Sequence, residues 1–288
     1  MTDGRRLVEV EVPAADAELA ADVLWQARPS AVGEQPLEGG RVLLTADITD
    51  LDTLHALHAL DRLPAGAVVR VLELDGDAYL DAWRAWARPV RAGRRVVLHP
   101  AWLPDPGVAA SDDLVVRLDP GRAFGSGSHP STRLVITALE DHLHAGARVL
   151  DVGAGSGVLS VVACLLGAAS AVAVDIDPAA LDATRANAVA NGVNDRVEAS
   201  TTPVADVPGQ FDLVLANIGA RVLRDLARDL TERVADGGTL VLAGLLDAQT
   251  DEVVAAYPTL HEVARHTEQG WTAVVLQDLR AAPRATQT

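Results

Sequence analysis

Lysine is missing altogether: all 24 basic side chains are arginines. That excludes a phosphate-loop lysine and any Schiff-base chemistry on a lysine of this chain. An enzyme of this sequence that modified lysines would offer itself only one target, its N-terminal amine. Cysteine is almost as scarce. Cys164 stands alone, which excludes an internal disulfide and a cysteine-cluster zinc site. There is no uninterrupted run of about 18 apolar residues of the kind a membrane-spanning helix requires. Met1-Thr-Asp-Gly-Arg-Arg6 is not followed by an apolar core, so no secretory signal is expected and a cytoplasmic location is. Positive charge is short too. A formal net charge of −16 excludes a nucleic acid gripped through its phosphates; it favours a basic partner, or serves solubility alone.

What the chain does have is enough apolar residues, 49% of 288, for a substantial core and two domains. Leu7–Val12 alternates at period two, Asp16–Arg28 has helical spacing, and Arg41–Ile48 and Val68–Leu74 read as strands. Asp50 can cap a helix carrying Leu51, Leu54, Leu57, His58 and Leu60. His55 and His58 have no third ligand nearby and read as helix-surface residues. The order strand, helix, strand, strand, helix, strand predicts a small α+β ferredoxin-like domain over residues 1–75. It is acidic, with fourteen Asp and Glu against six Arg. Residues 76–118 read as a connector whose helix, capped by Asp77, sets Tyr79, Trp83 and Trp86 on one docking face. The short strand Val96–His99 follows.

Residues 119–288 alternate strands (near 148–151, 171–175, 196–199, 211–216 and 238–244) with helices (near 130–143, 157–167, 178–191, 220–235 and 247–256). That predicts a doubly wound, Rossmann-like α/β domain. His261–His266 and Trp271–Leu279 read as an antiparallel hairpin on the sheet edge.

The chemistry is concentrated where these strands end. Asp151-Val-Gly-Ala-Gly-Ser-Gly157 is a strand breaking into a glycine turn ahead of a helix, whose unpaired N–H groups favour a ligand. A second strand ends in Asp175, placed to accept hydrogen bonds from a ribose diol. Dinucleotide enzymes space their glycines Gly-x-Gly-x-x-Gly to approach a pyrophosphate. Here Gly153, Gly155 and Gly157 alternate, and Asp151 would repel phosphate but attract an ammonium group. S-adenosylmethionine carries an ammonium, a sulfonium and no phosphate, so it is favoured over a nicotinamide cofactor. The strand Phe211–Asn217 ends in a carboxamide facing the same crevice. The oxygen of Asn217, with the neighbouring backbone carbonyl of Ile218, can accept hydrogen bonds from an incoming amine and aim its lone pair at the methyl group. Ahead of the domain, Asp119-Pro-Gly-Arg-Ala-Phe-Gly-Ser-Gly-Ser-His-Pro-Ser-Thr132 reads as a loop able to fold over the cofactor. Pro130 starts a helix there, Thr132 offers a hydroxyl to the cofactor's amino-acid end, and His129 positions the loop rather than acting as a base.

These segments, together with Val174-Asp-Ile-Asp-Pro178, Asn187-Ala-Val-Ala-Asn-Gly192, Ala216-Asn-Ile218 and Gly244-Leu-Leu-Asp-Ala-Gln249, resemble the PrmA family over roughly residues 80–280. The resemblance implies a class I S-adenosylmethionine-dependent methyltransferase domain. Its substrate in that family is the large-subunit ribosomal protein L11, methylated at lysine side chains and the N-terminal α-amine. It places Thr132, Gly153, Asp175 and Asn217 on the family's cofactor contacts and gives the N-terminal domain the recognition of the protein substrate. Ser126 and Ser131 stand where the family usually has threonine, and Gly219 where it usually has leucine. A monomer is expected, since nothing in the sequence demands more. Other readings are a methyltransferase for another protein or a small amine, a non-catalytic S-adenosylmethionine-binding module, and an NAD-dependent oxidoreductase.

Overall fold

The computed structural model describes residues 6–25, 32–37, 39–48, 63–73, 87–104, 112–121, 127 and 129–280. The expected helices over 50–60 and 77–86, with His55, His58, Tyr79, Trp83 and Trp86, lie outside them, as do 122–126 and 128 of the glycine–serine loop. The chain divides into two compact units, residues 1–87 and 88–288.

In the first unit, β1 (Arg6–Pro13), β2 (Val32–Leu37), β3 (Arg41–Ile48) and β4 (Val68–Glu73) form an antiparallel sheet in the order β2-β3-β1-β4. That is the strand order a ferredoxin-like module requires. Period-two alternation turns Val8, Val10 and Val12 of β1 and Val42, Leu44 and Ala46 of β3 to one face. There they bury against Ala20, Val23 and Leu24 of α1 (Ala17–Trp25). The polar members between them include Glu9 and Glu11, which face Arg70 and Arg41 across the strands.

The second unit opens with a three-stranded sheet, β5 (Val90–Ala92), β6 (Val96–Pro100) and β7 (Leu114–Leu118), in which β6 and β7 run parallel. Ala92, Val96, Leu98, Val116 and Leu118 join one core with Leu134, Val161 and Val241, so this stretch folds as part of the second unit. α2 (Pro130–His142) then leads into β8 (Arg148–Val152), α3 (Val158–Leu165), β9 (Ser170–Val174), α4 (Pro178–Ala190), β10 (Val197–Ser200) and β11 (Phe211–Asn217). α5 (Ala220–Asp225), α6 (Ala227–Arg233), β12 (Val234–Leu246), α7 (Thr250–Val254), β13 (His261–Glu268) and β14 (Trp271–Gln277) complete it. The helix expected over 220–235 is thus two, broken at Leu226.

The large sheet has the order β10-β9-β8-β11-β12-β14-β13, parallel up to β12, with the last two strands antiparallel. Helices cover both faces, so its central strands are nearly continuous apolar runs. Val149, Leu213, Leu215, Val241 and Val275 point to the α2–α3 side; Leu150, Val214, Leu240, Leu242 and Val274 point to the α5–α7 side. The chain turns from β8 to β9 and β10 on one flank and to β11 on the other. The crevice such a reversal opens lies at the carboxyl ends of β8 and β11.

Candidate active site

Every residue expected to act near the cofactor falls at this edge or just beyond it. Gly153, Gly155 and Gly157 all take left-handed backbone angles, with φ of 73°, 53° and 74°, which a side chain disfavours. Protein, not only ligand, demands two of them. A Cβ on Gly153 would sit 2.4 Å from Ile218 Cγ2, and one on Gly157 2.7 Å from the Thr184 side chain. The turn is tied to β9 through the N–H groups of Gly153 and Ala154, which donate to the Val174 carbonyl at 2.8 and 3.2 Å.

Asp151 shares the α2–α3 face of β8 with Val149 and is fully buried. Gly157 is the N-cap of α3 and has no side chain to satisfy the first turn. Asp151 supplies one from the strand: its Oδ2 accepts from Ser160 N at 3.1 Å and Ser160 Oγ at 2.7 Å. A negative group at a helix N-terminus is favourable. Its Oδ1 is buried with no hydrogen-bond partner among the described residues. Burial pushes its pKa up to about 6, opposed by the Ser160 hydrogen bonds and reinforced by the charge of Asp175. An unsatisfied buried acceptor of this kind is costly by itself and fits a cationic donor.

Asp175, one residue past β9, is half-buried and braces the turn. Its Oδ2 accepts from Gly155 N and its Oδ1 from Asp177 N, both at 2.9 Å. A carboxylate offers about four lone-pair sites, so hydroxyl donors can still be accommodated. Ile176, next in sequence, is 96% exposed.

Asn217 ends β11. Its Nδ2 donates to Thr132 Oγ1 on α2 at 3.4 Å, which leaves the carboxamide oxygen turned from Thr132. Thr132 is buried; an accepting hydroxyl retains a proton to donate. Ile218 extends the ladder by donating from its N to the Ala243 carbonyl at 3.1 Å. Its peptide is clasped from both sides, with its side chain against Gly153 and its carbonyl 2.7 Å from where a Cβ on Gly244 would stand. Gly244 (φ 80°) lies where β12 loses register with β14. Gly219 caps α5, and a Cβ there would meet nothing within 4 Å.

His129 caps α2: its Nδ1 accepts from Ser131 N at 3.2 Å and lies 2.7 Å from Ser131 Oγ. Its ring meets Trp271 edge-on at 4.5 Å. Burial, with a contribution from the charge of Arg133, holds its pKa down at about 4. It is neutral at pH 7 and a poor proton acceptor. Arg133 makes a fork to Glu268 (2.6 Å to Oε1), fastening the β13–β14 hairpin to α2. Trp271 and Gly244 were not legible as site residues, because each acts through a partner distant in sequence, His129 and Ile218; Ser160 was not, because its partner Asp151 lies on the far side of the glycine turn.

Comparison with known proteins converges on one family. The sequence profile described as ribosomal protein L11 methyltransferase (PrmA) matches residues 25–278, reaching into the N-terminal unit beyond the motifs that begin near residue 80. A curated relative of that name from Geobacter metallireducens is 38% identical over 301 residues, covering 94% of this chain and 97% of its own. Another, from Geobacter sp. (strain M21), is 44% identical over 214 residues, 72% of this chain and 69% of its own. A crystal structure of ribosomal protein L11 methylase from Lactobacillus delbrueckii subsp. bulgaricus superposes with a TM-score of 0.61 at 29% identity, covering 66% of this chain and 97% of that one. With the crevice at the sheet's switch point and matches of this length, the chain belongs to the ribosomal protein L11 methyltransferase (PrmA) family.

Proposed function

We propose that this chain transfers methyl groups from S-adenosylmethionine to lysine side chains and the N-terminal α-amine of ribosomal protein L11. The observation that carries the reading is the meeting of Asn217 and Thr132 at the end of β11, beside the Gly153–Gly157 turn and the unsatisfied Asp151 oxygen. When bound, the cofactor would supply an electrophilic methyl group and leave as S-adenosylhomocysteine. Asp151 Oδ1 would take the cofactor's ammonium, Gly153, Gly155 and Gly157 would let it lie close, and Asp175 would accept from its ribose hydroxyls. Thr132 holds Asn217 by one end of the carboxamide and would keep its proton for the cofactor's carboxylate.

The acceptor amine must arrive neutral. For a lysine of pKa about 10.4 that costs about 4.6 kcal/mol at pH 7, and for an α-amine near 7.8 about 1 kcal/mol. Desolvation at the crevice lowers the first cost. The Asn217 oxygen and the Ile218 carbonyl accept the amine's N–H groups and direct its lone pair along the line of transfer. Alignment is the main catalytic contribution, since in-line transfer depends on it. No strong base is needed, and His129, held neutral by burial, supplies none; water takes the proton.

The N-terminal unit, acidic over residues 1–75, recognises a basic protein substrate, and the methyltransferase domain proper spans residues 119–288. The enzyme works as a monomer in the cytoplasm without binding nucleic acid. Among the described residues no helix is long and apolar enough to cross a membrane.

The test is transfer of labelled methyl from S-adenosylmethionine to ribosomal proteins from a strain lacking this activity. Label should appear on L11; label on another amine alone would overturn the substrate. Asn217→Ala should lower kcat about 100-fold or more, as loss of an oriented polar group does, with S-adenosylhomocysteine affinity little changed. Unchanged turnover would remove Asn217 from the mechanism.

A further inference from the structure

Helix α4 carries Asn187 in its last turn and ends on Asn191 at its C-cap, and both side chains reach the backbone within or just past β7. Asn191 Nδ2 donates to the Arg117 carbonyl at 2.7 Å, and its Oδ1 accepts from Arg117 N at 2.9 Å. Asn187 repeats the pattern on Asp119, donating to its carbonyl and accepting from its N–H, each at 2.9 Å. The spacing is a geometric match: four helical residues rise about 6 Å, and two strand residues about 6.6 Å. Each amide behaves as a paired strand residue would.

The two differ in their remaining bond. Asn191 donates to the Asn187 carbonyl in its own helix at 2.8 Å, whereas Asn187 donates at 2.8 Å to the Ser156 carbonyl in the glycine turn. One helical turn earlier, Thr184 Oγ1 donates to the Gly155 carbonyl at 3.1 Å. Thr184 and Asn187 are both buried, so these bonds are sheltered from competing water. Two consecutive peptides of the turn are therefore held from α4, and one of the holding side chains also fixes Asp119. That residue begins the segment leading to α2 and Thr132.

We infer that Asn187, with Thr184, is a positioning residue for the methyl donor: it sets the Gly155–Ser156 peptides and yokes them to the Asp119 corner, while Asn191 only fastens β7. The inference rests on the cofactor reading given above. The matched pair makes the test internal, since both asparagines pair alike with the backbone of the 117–119 segment. S-adenosylhomocysteine affinity would be measured by calorimetry, with KM and kcat for transfer and the melting temperature, on wild type, Asn187→Ala, Asn191→Ala and Thr184→Val.

Asn191→Ala should lower the melting temperature and keep the affinity within about twofold. Asn187→Ala should weaken binding about tenfold, the scale of one buried hydrogen bond. The KM for S-adenosylmethionine should rise with it, and the KM for the protein substrate should not. Thr184→Val, nearly isosteric, should weaken binding several-fold and serves if Asn187→Ala does not fold. Affinities for Asn187→Ala and Thr184→Val equal to wild type would overturn the positioning role. Wild-type protein that took up no S-adenosylhomocysteine would instead overturn the cofactor reading itself.

Discussion

The ends of β8 and β9 carry the same residue type and put it to opposite uses. Asp175 is half-buried and spends an oxygen on each of two backbone N–H groups, Gly155 and Asp177. Asp151 is fully buried, turns one oxygen to Ser160 and leaves the other with no described partner. Two acids standing two residues apart along the register of adjacent strands are thus one carboxylate that shapes the turn and one that keeps an unmet demand. The lesson is that an acid at a strand end is not by itself a ligand. Which oxygen is already occupied decides what remains for chemistry.

The sharpest way to break this contrast is Asp151→Ala. It should cost about 100-fold in S-adenosylhomocysteine affinity, the scale of a hydrogen bond between charged groups. It should also lower the melting temperature, because Ser160 loses its partner at the start of α3. Calorimetry and thermal denaturation measure both, and a variant that bound like wild type would end the ammonium assignment.

A pH series sharpens the contrast further. The Asp151 carboxyl is raised from 3.8 to about 6 on folding, so between those values the folded state holds the extra proton. Its contribution to stability is full below pH 3.8 and is lost as pH rises through about 6. The melting temperature of wild type relative to Asp151→Asn should therefore fall from about pH 4 to about pH 7. Ligand affinity runs the other way. An ammonium prefers the ionised carboxylate, so binding should weaken by up to about tenfold per unit as pH falls below 6. A flat profile for both would remove Asp151 as the titrating group.

The smallest effect belongs to Asp175→Asn. The amide can still accept one of the two N–H groups but places its own donors beside the other. Affinity should drop about tenfold, with one hydrogen bond lost in the turn and a weaker acceptor for the ribose. A loss equal to that of Asp151→Ala would erase the distinction between the two acids.

Much of this was legible in the sequence. Strand and helix positions from 130 to 217 follow from apolar runs punctuated by Pro130 and Pro178 at helix starts, and the glycine turn declares itself by spacing. What was hidden depended on partners. Gly153 needs its missing Cβ because of Ile218, sixty-five positions away in the chain, and Gly244 because of the same residue from the other side. Asp151 caps α3 because Gly157 cannot. The break at Leu226 carries no proline or glycine, so no local signal marks it. β7 is five residues long and pairs in parallel with β6 only after a connection outside the pattern of either strand.

The pairing of Asn187 and Asn191 with the backbone at 117 and 119 has one more consequence. A border strand usually leaves a row of bare amides and carbonyls that a neighbouring molecule can zip onto. Here side chains of the same protein fill those places at Arg117 and Asp119, so the far end of β7 is blunted as a template for another polypeptide.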